Sequence, residues 1–379
     1  MVRLKKIKSI KLKPKFIGVL KIVGIVFCVV LVVFFFYRKQ INVLKKIGYS
    51  EKASNIILFS FKKDEVLSYG ESKTLNAAFE SENFNEDYIK NYVKIDYVDQ
   101  KNIIKNINKL IKKGYSNSDI NMILSHGTDQ SVTEFTKRDK VNYLEEFFSL
   151  DYAKLENYDR YVGYSDTTGE DEVDTVIEVN LNLDKEDYVY STLVDVFSFD
   201  MLVNKHRYLS ENFEPSDLVE VNLDYASDSG IFLNRVAYNA FKDMSNDASN
   251  DGYRIMINSA YRSFQDQKDI MDLYFKYYGQ EYVDKYIAKP GYSEHQTGLA
   301  IDVGSRTVSL FANSKEYSWM LDNAYKYGFI QRYTKRDENL TGFRYEAWHY
   351  RYVGKKIAKY CHDHNNMSLE EYYVIHLDK

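Results

Sequence analysis

At 379 residues the chain exceeds one ordinary domain, and its formal charge of -4, with lysines interleaved among acids, excludes a phosphate-tracking surface; nucleic acid is not an expected partner. Of the two cysteines, Cys28 lies inside an apolar run that Cys361 cannot easily meet, so a disulfide framework is excluded and the fold must rest on its own core. The 35 tyrosines and 3 prolines read as the compositional background of an AT-rich genome.

Residues 16–37, FIGVLKIVGIVFCVVLVVFFFY, are long enough for a helix to cross a hydrocarbon layer of about 30 Å. Lys21 alone interrupts the run, near its start, where a long stem can snorkel to the headgroups. Seven basic residues precede the run (Arg3, Lys5, Lys6, Lys8, Lys11, Lys13 and Lys15) and four follow it (Arg38, Lys39, Lys45 and Lys46). The heavier flank predicts residues 1–15 as a cytoplasmic tail, residues 16–37 as a single transmembrane anchor in the cell membrane, and the remainder on the outer side. Cleavage is not expected: the run outlasts a signal core, and FFFYRKQ offers no small-residue site.

Residues 38–185 read as a mostly helical spacer or accessory region. IGYSEKASNIIL (47–58) and KGYSNSDINMIL (113–124) each combine a turn, a serine N-cap at Ser50 or Ser116, and the start of an amphipathic helix. They predict a pair of helical hairpins, two units being too few for a solenoid. A glycan-binding role for residues 47–160 is the alternative to a plain spacer. VGYSDTTGEDEV (162–173) is polar and acid-rich and reads as a loop or linker. VIEVNLNL (176–183) and LVEVNLD (218–224) alternate apolar and polar residues and predict half-buried strands, with the catalytic unit spanning 186–379. Residues 232–244 have helical spacing, and RIMINSAY runs as a strand into the first chemical motif.

Five of the seven histidines (His126, His206, His362, His364, His376) lack a patterned neighbourhood and carry no expected chemistry. His295 lies in YSEHQTGLAIDVG, where Gly298 permits a tight turn and LAIDV reads as a buried strand holding Asp302. A carboxylate in an apolar strand is costly unless it is paired or bound to a metal. His349 follows Glu346 by three residues in RYEAWHYRYVG. Two imidazoles and a carboxylate suit zinc with a position left for water, and Glu346 could take a proton from that water and pass it to a leaving amine. In NSAYRSFQDQ, Arg262 ends a strand and Gln267 lies on the following helix; Arg262 could steady an oxyanion or a substrate carboxylate, or form an ordinary surface ion pair.

SAYRS with Gln267, SEHQTGLAID and EAWHYRYVG together resemble the three motifs of the VanY-type D-alanyl-D-alanine carboxypeptidases, zinc peptidases in a wider group with D-Ala-D-Ala dipeptidases and the hedgehog signalling domain. The resemblance covers residues 190–365, including LVNKHRYLSENFEPSDLVEV (202–221), and no position of SxHxxGxAxD or ExWH departs from the pattern. It implies an α+β fold: a small antiparallel sheet carrying a zinc site, with helices packed against it. It further implies His295, Asp302 and His349 as Zn2+ ligands, Glu346 as general base, and Arg262 at the scissile carbonyl. Ser293 and Gln267 are implied near the substrate's terminal carboxylate. The implied activity is removal of the C-terminal D-alanine from peptidoglycan stem peptides. The alternatives are L,D-carboxypeptidase or endopeptidase action on the same stems, and a non-catalytic zinc-bearing binding domain.

Overall fold

The computed structural model describes residues 14–305 and 310–378; the basic residues from Arg3 to Lys13 lie outside them. Two compact units divide the chain, Met1–Glu145 and Glu146–Lys379.

The first unit is helical. Its opening helix is described over Pro14–Lys46. Its Lys21–Lys46 stretch is long and apolar enough to cross a membrane. Valines and phenylalanines from Val19 to Phe36 are exposed, whereas Ile41 and Leu44 are buried and Tyr37 Oη donates to Asn55 Oδ1 at 2.8 Å. The helix therefore continues past Tyr37, its last turns packing into the unit. Ser50 and Ser116 cap their helices, Ser50 Oγ accepting from Ala53 N–H and Ser116 forming a reciprocal capping box with Asp119. Each such cap is worth about 1 kcal/mol. Gly48 and Gly114, at φ 102° and 84°, make the turns ahead of them.

The second unit departs from the sequence expectation at its start. Residues 162–168, expected as loop, belong to the helix Tyr158–Thr168, which buries Tyr158 and Tyr161 and ends at the left-handed Gly169. The expected strand 176–183 is instead a helix, Glu172–Asn180, capped by Asp171 and burying Thr175, Val176, Ile177, Val179 and Asn180. Alternation over so few β-branched residues did not distinguish the two periods, and tertiary burial with the Asp171 cap decides for helix. Ile177 and Leu181 pack with Leu202, Val353, Ala358, Leu369 and Val374, which ties this helix to the C-terminal part of the same unit.

A two-residue parallel pair, β1 (Thr192–Leu193) with β2 (Arg207–Tyr208), precedes an antiparallel pair, β3 (Leu218–Glu220) with β4 (Phe232–Asn234). The helix Arg235–Asn250 follows and buries Ala237, Phe241, Met244 and Ala248, spaced to fall on one face. β5 (Ile255–Ser259), β6 (Ala300–Ser305), β7 (Phe329–Gln331) and β8 (His349–Tyr352) form a fully antiparallel sheet in the order β5-β6-β8-β7. That helix and Lys315–Asn323 cover one side of it, so that Phe241 and Met320 join Ile257, Ile301 and Phe329 in one core. Truncating a side chain such as Phe241 to alanine costs about 3–5 kcal/mol. This is the expected α+β arrangement of a small antiparallel sheet with packed helices.

Candidate active site

The sheet's register brings the histidine motifs together. Asp302 on β6 faces His349 on β8 as a Cα partner and Ser259 on β5 on its other side, where a register shift between Ile257 and Ser259 bends the strand end. His295 sits on a single 3-10 turn, Glu294–Thr297, which ends at Gly298 with φ 67°. A Cβ at Gly298 would lie 2.9 Å from Leu218 Cδ2, so both the turn and the close approach require glycine. His295, Asp302 and His349 each offer a ligand atom, and these atoms lie within 4.8 Å of one another.

Hydrogen bonds fix which nitrogen of each ring faces the cluster. His295 Nδ1 is 2.6 Å from the Ala260 carbonyl, so it carries the proton and Nε2 turns its lone pair toward Asp302 Oδ2, 3.4 Å away. His349 is reversed: Nε2 is 3.2 Å from Glu294 Oε2 and Nδ1 is 3.1 Å from Asp302 Oδ1. The donors fit zinc: two imidazole nitrogens of opposite type and one carboxylate, with both histidines held from behind by an acceptor.

Glu294 is the residue that sequence reasoning missed. It is wholly buried, and it accepts from Arg332 Nε at 2.8 Å and Arg351 Nη1 at 3.0 Å as well as from His349. Arg332 also donates twice to buried Glu370, at 3.0 and 2.9 Å. The available signal was an acid beside a candidate ligand histidine together with arginines in or next to two short strands, groups too costly to bury unpaired.

Charges follow from this packing. Burial opposes ionisation of Glu294, but Arg332 and Arg351 outweigh it and hold its carboxyl far below the usual range. Burial, reinforced by the Arg262 charge, lowers His295 to about 4, leaving it neutral at neutral pH. For His349 burial acts the same way but is overcome by the bonds to Asp302 and Glu294, which raise the ring to about 9. Asp302 is held well below its ordinary value against its burial by His295 and His349. Burial lifts Glu346 to about 7, with His349 pulling it down and Asp302 pushing it up. The cluster thus attracts positive charge, as a cation site should.

All seven residues singled out in the sequence line one cleft of about 470 Å³: Arg262, Gln267, Ser293, His295, Asp302, Glu346 and His349. Glu346 Oε2 lies 3.9 Å from His349 Nδ1. The Arg262 Nε, buried, has no protein partner, and neither has Gln267 Oε1, whose Nε2 donates to the Ala288 carbonyl at 2.8 Å. Unpaired buried polar atoms facing a cleft are groups kept for a ligand. Arg262 therefore does not make the surface ion pair left open by its sequence position. Ser293 Oγ accepts from His295 N–H at 3.3 Å and caps the turn. None of the other five histidines lines this cleft.

Fold and site together define the class: an antiparallel α+β unit whose sheet presents a buried His–Asp–His group, with a free carboxyl and an unpaired arginine, to an open cleft. The family model described as "VanY: D-alanyl-D-alanine carboxypeptidase" matches residues 230–355. The D-alanyl-D-alanine carboxypeptidase of Enterococcus faecium is 33% identical over 244 residues, covering 60% of this chain and 71% of that protein. YodJ of Bacillus subtilis (strain 168), a carboxypeptidase by name, is 43% identical over 180 residues, 45% of this chain and 66% of YodJ, just under two thirds of its length. A solved LdcB LD-carboxypeptidase is 43% identical, covering 45% of this chain and 84% of that one, with a TM-score of 0.43. The chain belongs to the VanY family of D-alanyl-D-alanine carboxypeptidases, a family of peptidases, as the three motifs implied.

Proposed function

We propose that this chain is a zinc-dependent carboxypeptidase that removes the C-terminal D-alanine from peptidoglycan stem peptides. The observation that carries the reading is the joining, in one cleft, of a three-residue metal group with the half-buried Glu346 carboxyl and an arginine whose buried Nε has no protein partner. The name of the Enterococcus faecium relative supports the substrate class.

His295 through Nε2, His349 through Nδ1 and Asp302 through its carboxylate would hold the ion. Zinc supplies Lewis acidity toward water and toward the scissile carbonyl. Glu346, with its carboxyl lifted by burial, takes the proton from the attacking water and returns it to the departing amine. Arg262, whose buried Nε has no protein partner, donates to the carbonyl oxygen as negative charge develops there. Ser293 and Gln267, on the same wall, receive the terminal carboxylate of the substrate. The anchor at residues 16–37 would keep this unit at the membrane surface, on the cell-wall side.

The test incubates the full chain with defined pentapeptide, tetrapeptide and cross-linked stems and weighs the products. Loss of a single alanine from the pentapeptide alone is expected. Shortening of the tetrapeptide instead would assign L,D-carboxypeptidase action, and cleavage of the cross-link would assign an endopeptidase.

A further inference from the structure

The helices Phe264–Tyr278 and Gln280–Tyr286, joined at Gly279, differ from the rest of their unit. Across both, the only buried residues are Gln267 and Val283. What they carry instead is tyrosine. Tyr274 and Tyr282 stack at 5.9 Å with planes 9° apart, Tyr278 and Tyr282 stack at 4.6 Å, and Tyr286 packs tilted at 36° against Tyr282 at 4.7 Å. Tyr274, Tyr282 and Tyr286 line the candidate active-site cleft, while Tyr278 lies outside that lining and is 62% exposed. A compositional excess of tyrosine explains scattered rings. It does not explain a continuous ladder, unused by the core, that begins in the cleft and leads out of it.

We propose that this ladder is a saccharide platform, which takes pyranose rings of the wall glycan to which a stem peptide is joined. The inference rests on the proposed function for the choice of glycan. Exposed stacked aromatic surface marks a binding site, and a tyrosine offers an apolar face with a hydroxyl at its rim, matching the C–H face and hydroxyl edge of a sugar ring. Charge argues against an anionic occupant: along residues 264–286 acids outnumber lysines five to three. Part of that charge is already engaged, Lys285 with Glu281 at 2.8 Å and Asp284 with Gln280 at 2.7 Å. A neutral polyol lying on the rings meets neither sign. The cleft then holds the peptide end and the ladder holds the sugar, with continuity between them through Tyr282.

The probe is chitotetraose, which has N-acetylglucosamine rings and no scissile peptide bond, titrated by saturation-transfer NMR into the full chain in a sugar-free detergent. The unmodified chain should bind it, with ring protons receiving the transfer. Tyr278→Ala should weaken the affinity about tenfold, the size of loss typical of an aromatic anchor. Tyr278→Phe, which keeps the stacked face, should retain binding, and Tyr190→Ala, an exposed tyrosine elsewhere, should match the unmodified chain. Absence of binding, or equal binding by Tyr278→Ala, overturns the platform. Should Tyr278→Ala instead raise KM for a free, sugarless stem while chitotetraose does not bind, the ladder serves the peptide and the inference is likewise overturned. Binding of chitotetraose by a chain that cleaves no stem would leave the platform standing and remove the proposed function.

Discussion

Asp302 and His349 are register partners on neighbouring antiparallel strands, and with the ring held at Nε2 by Glu294, His349 Nδ1 lies 3.1 Å from Asp302 Oδ1. Two of the three candidate ligands are thus fixed by the sheet and only His295 by a turn. Replacing His295 or Asp302 with alanine should leave the sheet folded and strip the metal, since two protein ligands hold zinc poorly. The unmodified chain should copurify with about one zinc, the stoichiometry expected of a three-ligand site. Metal analysis beside circular dichroism checks both statements, and a folded, active chain without metal would contradict them.

Glu294→Gln keeps the volume but removes the charge that Arg332, Arg351 and the His349 Nε2–H all use. Loss of such an outer partner typically costs about 10–100-fold in metal affinity. The variant should therefore release zinc to a competing chelator at lower concentration and also melt earlier, because two guanidinium groups lose their shared counter-charge in a buried setting. Unchanged zinc affinity would mean that the orientation of His349 does not depend on Glu294.

Away from the cleft, Glu178 carries a pH-dependent cost. Burial, with Glu170 and Asp174 nearby, raises its carboxyl above the ordinary 4.5 despite the hydrogen bond from Tyr164. The folded state therefore holds the proton more tightly than the unfolded one, so stability falls as pH rises from the ordinary value through the folded one and stays lower above it. Glu178→Gln should raise the melting temperature at pH 7.5, with the gap closing as the pH falls below the ordinary 4.5, where the carboxyl is protonated in both the folded and the unfolded chain. A gap that is independent of pH would contradict this assignment.

Much of this was legible in the sequence because the informative residues are close together. The motif around His295 contains its own turn glycine and the start of β6, and EAWHY holds both a carboxyl and a candidate ligand within three positions. The apolar span and the serine caps at Ser50 and Ser116 are local signals too, and their helices appear where expected. What escaped was non-local. Glu294 acquires its importance from Arg332, Arg351 and Glu370, which lie 38 to 76 positions away and meet it only after the sheet closes. Residues 176–183 alternate like a strand, yet the packing of Ile177 and Leu181 with Val353, Leu369 and Val374 selects the helix over 172–180.

The apolar helix, read as an anchor, gives a prediction of topology. With seven basic residues ahead of the span and four behind it, the second unit should lie on the outer side of the membrane. Protease added to intact protoplasts should digest it; survival until lysis would reverse the orientation.

In the proposed mechanism Glu346 moves the proton for hydrolysis at a metal held by His295, Asp302 and His349. The most direct measurement is the rate of D-alanine release from a D-Ala-terminated stem peptide per zinc-loaded chain, with Glu346→Gln beside the unmodified protein. The amide is nearly the same size and cannot take up the proton, so the account predicts zinc content and melting temperature near those of the unmodified chain, with turnover lower by about a hundredfold to ten-thousandfold. Near-normal turnover with zinc retained would contradict the account by placing the base elsewhere, and loss of zinc together with turnover would make Glu346 a ligand.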